Sequence, residues 1–574
     1  MLLNGSAGTA AAEPVAGDPT DPGGPADLVL DGVRVRPHAT ADLIPGPVAV
    51  RDGRIVALGP AADRMDAIRR IRVDGAVAMP GLVDSHTHIG WAGASLWRAG
   101  WRGLTAGALL PELARAAAAV RAPHWILGGG WDTGALPERD LPTRQALDSV
   151  TGAAPCLLAS ADLTLAICNT AAATLMKLSE LPPIAGGEVV RDADGEPTGM
   201  LRGAAARALP TAGIVPPTGT ARATGEVASA VHYLSALGVT EIHDIATWPA
   251  DPGMQDTYVE RSFTDIGLFT ALAAQGRLPV RVGVRPFLGR WAEFADGVPA
   301  IDDPLITFTG LKLFVGGHGY TDDQERPILV SPSFRDPGPE LATQWVRAAH
   351  RAGIGCSLHA LGDGDVRVAL DVFQRALDGG TAGGVPHRLV HLRAARRRDL
   401  LRIVALGLAA EVQPFDVLED SGRLRARLSP AGVARLAPYR DLADAGVPVL
   451  LGSDWRAAAD LRAADPLVQM AAGVLRRPPG SSMDPLPGRG LTPAQALHAA
   501  GTAPAEFACR PAGRGAGPAT ARPPRGRLRV GGAADITVLS DDPLAVSPDD
   551  WPRLERVLTV TAGRVTHRAA GTPQ

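Results

Sequence analysis

Apolar and polar positions follow two different patterns along the chain, one at its ends and one in its middle. From residue 27 to 59, the runs DLVLDGVRVRP and GPVAVRDGRIVALG alternate apolar with polar residues around Asp52-Gly53, the pattern of a β-hairpin with one buried face. GRLRVGGAADITVLSDDP (526–543) and ERVLTVTAGRVTH (555–567) repeat that style near the other end. The two ends are therefore predicted to assemble one small β-sandwich, from residues 27–78 and 523–574. Between them, short apolar runs alternate with Ala- and Leu-rich helical stretches, the signature of repeated βα units around a parallel sheet. The fold class expected is α/β: a distorted (β/α)8 barrel over 79–522, with the sandwich beside it.

Strands are predicted to end in VAMPGLVD (77–84), GVTEIHD (238–244), GLKLFVG (310–316), GIGCSLH (353–359), RLVH (388–391), GLAAEVQ (407–413) and GVPVLLGSD (446–454). HWILGGG (124–130) or PCLLAS (155–160) supplies the second strand of the series. The stretch from about 121 to 226 is too long for a simple βα connection and should hold an inserted subdomain. Residues 1–26, rich in Ala, Gly, Pro and Asp, are expected to be a disordered leader. They have neither the basic segment nor the apolar segment of a secretory signal, so a cytoplasmic protein is expected. No apolar run reaches the roughly 18–20 residues of a membrane span.

Composition narrows the partner. Of 574 residues, 57 are Lys or Arg and 60 are Asp or Glu, and aromatic residues make up 4 % of the chain. Neither a basic surface nor a stacking platform is available, which argues against nucleic acid and anionic membranes and leaves a small-molecule substrate; a homodimer stays open. Cys156, Cys168, Cys356 and Cys509 are scattered without a CxxC pair, so neither a disulfide framework nor a thiolate zinc site is expected.

The polar residues at the predicted strand ends change this picture most, because strand ends on the carboxyl face of a barrel converge in space. In Asp84-Ser85-His86-Thr87-His88 the two histidines are two residues apart, so an extended chain points both to one side, where they can grip one metal. Two surface histidines on a loop would give the same spacing. Lys312 lies inside the apolar run ITFTGLKLFVGG, where a buried ammonium must either find a carboxylate partner or lose its proton. A neutral amine there can take up carbon dioxide as a carbamate whose two oxygens can bridge a pair of metals. His359 and His391 each leave an apolar strand for a loop, where a neutral imidazole can bind metal. Asp454 follows VPVLLGS, and a carboxylate there can ligate metal and accept a proton from water, or simply cap a helix.

The ordered set PGLVDSHTH, GLKLF, LHALGD, RLVH and GSDW resembles the amidohydrolase superfamily. GWDTGALPERDLPTRQALD, GGEVVRDADGEPTGMLR and LTPAQALHAAGTAPAEFA look like the branch that includes N-substituted formamide deformylase and YtcJ-like hydrolases. The resemblance covers about residues 27–570. It implies two divalent metals, commonly zinc, held by His86, His88, Lys312, His359, His391 and Asp454, with carboxylated Lys312 as the bridge. It also implies attack by a metal-bridged hydroxide on a non-peptide C–N bond of an amide, N-substituted formamide or cyclic amide. Asp454 would serve as general base and then acid, with His391 as the other candidate catalytic residue.

Three positions depart from the family pattern. Val390 stands where relatives often have Glu, Gly316-Gly317 where they have Asp-Gly, and Asp162-Leu163-Thr164 where they have Asp-Gly-His. No proposed ligand is lost, but the groups that would orient a substrate change. His243, Asp363, Trp131, Asp132 and His318 are the candidate substrate contacts, with Asp244 beside His243 and with capping or core hydrogen bonding as the competing explanation. His38, His498 and His567 are expected to be structural. Two other readings remain: a mononuclear deaminase of heteroaromatic amines, which needs no bridging carbamate, and a non-catalytic metal-binding homologue.

Overall fold

The structure is a computed structural model and describes residues 24–95, 99–101, 104–119, 125–131, 133, 136–160, 164–184, 187–203, 205–206, 220–247, 264–289, 303–329, 337–455, 461–510 and 523–572. The expected leader thus falls, through residue 23, outside the described residues, and Ala26 already opens a strand.

At the chain ends the period-two patterns form two sheets. One has strand order Arg54–Leu58, Val48–Arg51, Ala26–Asp31, Ala67–Arg72. Its hairpin turns at Asp52 (φ 50°) and Gly53 (φ 71°), two left-handed residues in succession that match the right-handed twist of the paired strands. The other sheet mixes both termini: Val77–Pro80 pairs antiparallel with Ile536–Leu539, which pairs with Arg556–Thr561. Leu28, Val48, Ile55, Ile71, Ile536, Val538 and Val560 bury into one cluster between the sheets. The run VAMPGLVD, expected to be one strand, is two. After Pro80 the chain turns from the terminal sheet into the central one at Gly81, where a Cβ would lie 2.0 Å from Thr240 Oγ1.

Among the described residues, the strands that carry the site's residues lie in two parallel arrays. The first array runs β1 (Leu82–Thr87), β2 (Val239–Thr247), β3 (Arg281–Arg285) and β4 (Ile306–Phe308). The second runs β5 (Leu311–Phe314), β6 (Cys356–Ala360), β7 (Arg388–His391), β8 (Ala409–Val412) and β9 (Val449–Leu451). Single bridges link the arrays, Phe287 with Lys312 and Thr87 with Trp455; among the described residues the ladders do not form one closed ring. Helices such as Pro339–Arg351 and Asp363–Ala376 cover the outside, packing Val346, Ala369, Leu370 and Phe373 against β5 and β6.

Three expectations need correction. Ile126–Gly129 and Cys156–Ala159, the two candidates for the second strand of the series, belong instead to a separate six-stranded sheet. The neighbour of β1 is β2, and the third strand is β3, whose sequence RVGVR was not among the expected strands. Short apolar runs read alike whether they enter a central or a peripheral sheet, and the two arginines of RVGVR disguise a strand that is buried throughout. The inserted sheet also has other limits than 121–226. It begins at Ala99–Gly100 and ends with Pro197–Gly203, over its own core of Trp101, Leu109, Ile126, Trp131, Leu158 and Ile167. Helix Thr220–Ala236 packs Val227, Val231 and Leu234 against the β1–β2–β3 array instead.

Where helix Pro339–Arg351 meets β6 and β7, three groups form a chain whose proton positions follow from its ends. The backbone N–H of Cys356 donates to His387 Nδ1 at 3.0 Å, so the ring proton of neutral His387 sits on Nε2 and donates to His350 Nδ1, 3.0 Å away. Burial, then the charge of His350, lowers the His387 pKa to about 3, and burial lowers that of His350 against a smaller opposing effect of Asp378. His387 is thus neutral in the folded chain and charged in the unfolded one between pH 6.5 and about 3, and stability falls on acidification through that window. His387→Gln, whose amide oxygen can still accept from Cys356, should make the acid limb of stability against pH shallower by about one proton, or about 1.4 kcal/mol per pH unit. Urea unfolding at a series of pH values measures it; an unchanged slope would refute the assignment.

Candidate metal centre

The carboxyl ends of β1, β6, β7 and β9 bring four histidines and Asp454 together. Nitrogen atoms of His86 and His88 and an oxygen of Asp454 lie within 4.8 Å of one another. Asp454 Oδ1 is 3.4 Å from His88 Nε2 and 3.6 Å from His86 Nε2. The rings of His86 and His391 are 5.2 Å apart between centroids, and those of His391 and His359 are 4.4 Å apart. The segment after β9 is threaded tightly against β1. Asp454 N donates to His86 O at 2.8 Å, and a Cβ on Gly452 would come within 2.6 Å of His86 N. His391 (φ 75°), Leu392 (φ 43°) and Asp454 (φ 49°) all adopt the left-handed conformation that side chains disfavour, a strain that clusters at functional sites.

Lys312 on β5 is wholly buried, and its Nζ has no hydrogen-bond partner among the described residues. Burial, reinforced by the positive charge of Arg285, lowers its pKa to about 7 against the opposing pull of Glu411 and Asp454. A large fraction of the amine is therefore neutral near neutral pH. Burial and then Lys312 take His86 down to about 3. Burial also takes His359 and His391 well below the usual imidazole range, aided by Lys312 at His359 and by the His359 ring at His391. Buried, neutral imidazoles are the form that ligates a cation. Among the described residues, two buried ring nitrogens of this cluster have no hydrogen-bond partner, His86 Nε2 and His359 Nδ1. These orphaned donor atoms, with the carboxylate of Asp454 among them, fit a divalent metal, which the residues present would hold.

A charged layer that sequence reading missed supports this cluster from below. Glu411 on β8 accepts from Arg285 Nη1 at 2.8 Å, from Arg388 Nη1 at 2.7 Å and from His86 Nδ1 at 2.5 Å. Burial would raise its pKa, but Arg285 and Arg388 hold it well below the usual carboxylate range, so it is ionised. Its contact with the neutral His86 is a hydrogen bond rather than an ion pair. Arg285 also donates to Ser85 O at 2.8 Å, tying β3 to β1. Gln413, just after β8, accepts from His391 Nδ1 at 2.7 Å. Asp84 accepts from Ser453 N at 2.8 Å and from His86 N at 3.2 Å, and burial pushes its pKa up to about 7. A signal for Glu411 was present: a carboxylate within the apolar run GLAAEV poses the same desolvation problem as Lys312 in GLKLF.

Most of the expected substrate contacts are engaged elsewhere. His243 Nε2 hydrogen-bonds Glu241 at 3.1 Å, and Glu241 in turn accepts from Arg525 at 2.9 Å, placing His243 in a buried network with the C-terminal segment. Asp244 accepts from Thr87 Oγ1 at 2.9 Å and Ile89 N at 2.8 Å, which fixes the chain on either side of His88. Asp363 accepts from Thr321 N at 2.9 Å and Thr321 Oγ1 at 2.6 Å and faces Arg396 at 3.1 Å, so it anchors the loop after β5 to a helix start. His318 in that loop is exposed. Trp131 is buried 5.6 Å from Trp101 in the core of the inserted sheet. Asp132, Asp162 and Leu163 lie outside the described residues. Val390 is buried in β7, opposite Glu411 in the register.

Comparison with known proteins agrees with this geometry. Over 516 residues the chain is 25 % identical to the putative amidohydrolase YtcJ of Bacillus subtilis, covering 87 % of this chain and 90 % of that protein. Over 578 residues it is 24 % identical to N-substituted formamide deformylase of Arthrobacter pascens, covering 95 % and 99 %. In fold it is similar to an uncharacterized metal-dependent hydrolase from Pyrococcus horikoshii, with a TM-score of 0.70 at 20 % identity over 91 % of this chain and 99 % of that one. A model of the amidohydrolase family matches residues 73–567, nearly the whole described molecule. With that match, the chain is an enzyme of the amidohydrolase family.

Proposed function

We propose that the enzyme hydrolyses a non-peptide C–N bond in a small amide, N-substituted formamide or cyclic amide, using divalent metal held at the cluster. The observation that carries this is Lys312 Nζ, buried and unpartnered beside His86, His359 and Asp454. An amine that close to neutrality at pH 7 can add to carbon dioxide, forming an N–C bond and releasing a proton, and the resulting carbamate would supply two oxygens to a metal pair. His86, His88 and Asp454 would hold one ion, His359 and His391 the other, with Lys312 between. Bound there, the metals, zinc by the family's habit, would supply positive charge that polarises a carbonyl and acidifies water. Asp454 Oδ1, 3.4 Å from His88 Nε2, would take the proton of the attacking water and return it to the leaving nitrogen. The same reading takes the two parallel arrays as the halves of a (β/α)8 barrel, with the sheets from both termini as a composite sandwich at its side. Among the described residues no helix is long and apolar enough to cross a membrane.

A second reading has support of its own. The three-residue cluster of His86, His88 and Asp454 is compact by itself and suits a single ion, as in a mononuclear deaminase. Metal content of chain purified with bicarbonate, read by plasma mass spectrometry beside a panel of formamides, amides and cyclic amides, separates the two. About two metals per chain with release of amine is the expected result. One metal with ammonia released from heteroaromatic amines would favour the deaminase, and a chain that takes up none would sink both.

A further inference from the structure

Glu411 and Gln413 stand two residues apart on β8 and its extension, so both face the same side, and each meets a different histidine of the centre through Nδ1. We infer that this one strand holds His86 and His391 in a single tautomer, with the proton on Nδ1 and the lone pair of Nε2 presented to the metal. The inference rests on the metal-centre reading above and adds the residues that prepare it.

For His86 the argument follows from charge. Ionised Glu411, gripped by Arg285 and Arg388, can only accept, so the 2.5 Å contact requires the proton on His86 Nδ1. The other nitrogen, Nε2, is then a bare acceptor; it is buried, has no hydrogen-bond partner and lies 3.6 Å from Asp454 Oδ1. For His391 the amide oxygen of Gln413 fills the same role at 2.7 Å. Were the amide turned over, its N–H would push the imidazole proton to Nε2 and remove the lone pair from the centre. As placed, the buried amide presents Oε1 to the ring. His391 also sits at a positive φ, and the Gln413 bond steadies the ring of a residue whose backbone is strained. Glu411 and Gln413 are positioning residues: they act on the metal through the two rings, and a ligand imidazole is commonly oriented by an acceptor on its other nitrogen.

The test uses full-length chain with 15N-labelled histidine, freed of metal by chelator, and long-range proton–nitrogen correlation spectra near pH 7.5. Signals are assigned by comparison with His86→Gln and His391→Gln. Both rings should show protonated Nδ1 and unprotonated Nε2. Gln413→Leu should lose the fixed tautomer of His391 and bind zinc about 10- to 100-fold more weakly in chelator competition. Gln413→Glu, which restores an acceptor, should recover both. Because Glu411→Gln can fail to fold, the Gln413 pair carries the decision. Wild-type rings protonated on Nε2, or a Gln413→Leu variant with unchanged zinc affinity and tautomer, would overturn the inference. Wild-type chain that binds no zinc while showing the expected tautomers would instead overturn the metal-centre reading.

Discussion

Lys312→Met should abolish turnover without weakening the metal-free fold. Methionine fills much the same space beside Phe314, but it cannot form a carbamate, so the proposed pair of ions loses its bridge. A loss of ~10³-fold or more in kcat is expected, equivalent to about 4 kcal/mol of transition-state stabilisation. Metal content should fall from about two per chain toward one. Stability should move the other way, because an unpartnered buried amine is costly to desolvate and its removal takes that cost away. Metal-free Lys312→Met should therefore unfold at an equal or higher urea concentration than metal-free wild type. Full activity with an unchanged metal complement would sink the bridging role. A clear drop in stability would mean that Lys312 has a structural partner after all.

Glu411→Leu should be among the most destabilising single changes in the chain. It removes the negative charge that Arg285 and Arg388 share, and leaves two guanidinium groups buried, each less than 2 % exposed, with no carboxylate paired to them among the described residues. Breaking a buried ion pair from one side typically costs ~3–5 kcal/mol, since the remaining charge keeps its desolvation penalty and loses its compensation. Two cations share the loss here, so the upper part of that range is expected. Urea unfolding of metal-free protein checks it, which separates the effect from lost metal binding. Arg388→Met combined with Glu411→Leu should recover part of the loss by removing one of the stranded charges. A Glu411→Leu change of less than about 1 kcal/mol would show that water or another acceptor reaches the arginines.

The two variants divide the centre into a layer proposed to perform the chemistry and a layer that holds it. Lys312, His86 and His359 each keep a buried nitrogen with no hydrogen-bond partner among the described residues, a state that costs stability in the absence of a ligand. Arg285, Arg388 and Glu411 lie beneath them, with both guanidinium groups bonded to the one carboxylate. Between the layers, Asp84 ties β1 to the segment after β9 through Ser453, and Asp244 secures the start of the helix beyond His88.

Six ligand-type residues, the β-rich ends and the alternating middle could all be read from the chain before any coordinates. Each is written in local terms: a period of two, an HxH, a lysine inside an apolar run. The hairpin at Asp52-Gly53 and the strands containing Lys312, His359 and His391 fall where the pattern predicted them. What the sequence by itself did not determine was neighbourhood. Ile126–Gly129 and β3 are both short buried strands, and only packing assigns one to the inserted sheet and the other to the central array. His243 and Asp363 looked like substrate contacts because they stand near strand ends, whereas His243 joins Glu241 on its own strand and through it Arg525 from the C-terminal segment, and Asp363 meets Thr321 and Arg396 from other segments. Glu411 gained its meaning in the same way, from arginines 126 and 23 residues away and a histidine 325 residues away. A residue type and its local period specify which chemistry is available; the partners that set its charge, tautomer and orientation are fixed by long-range packing, where desolvation makes every unpaired group costly.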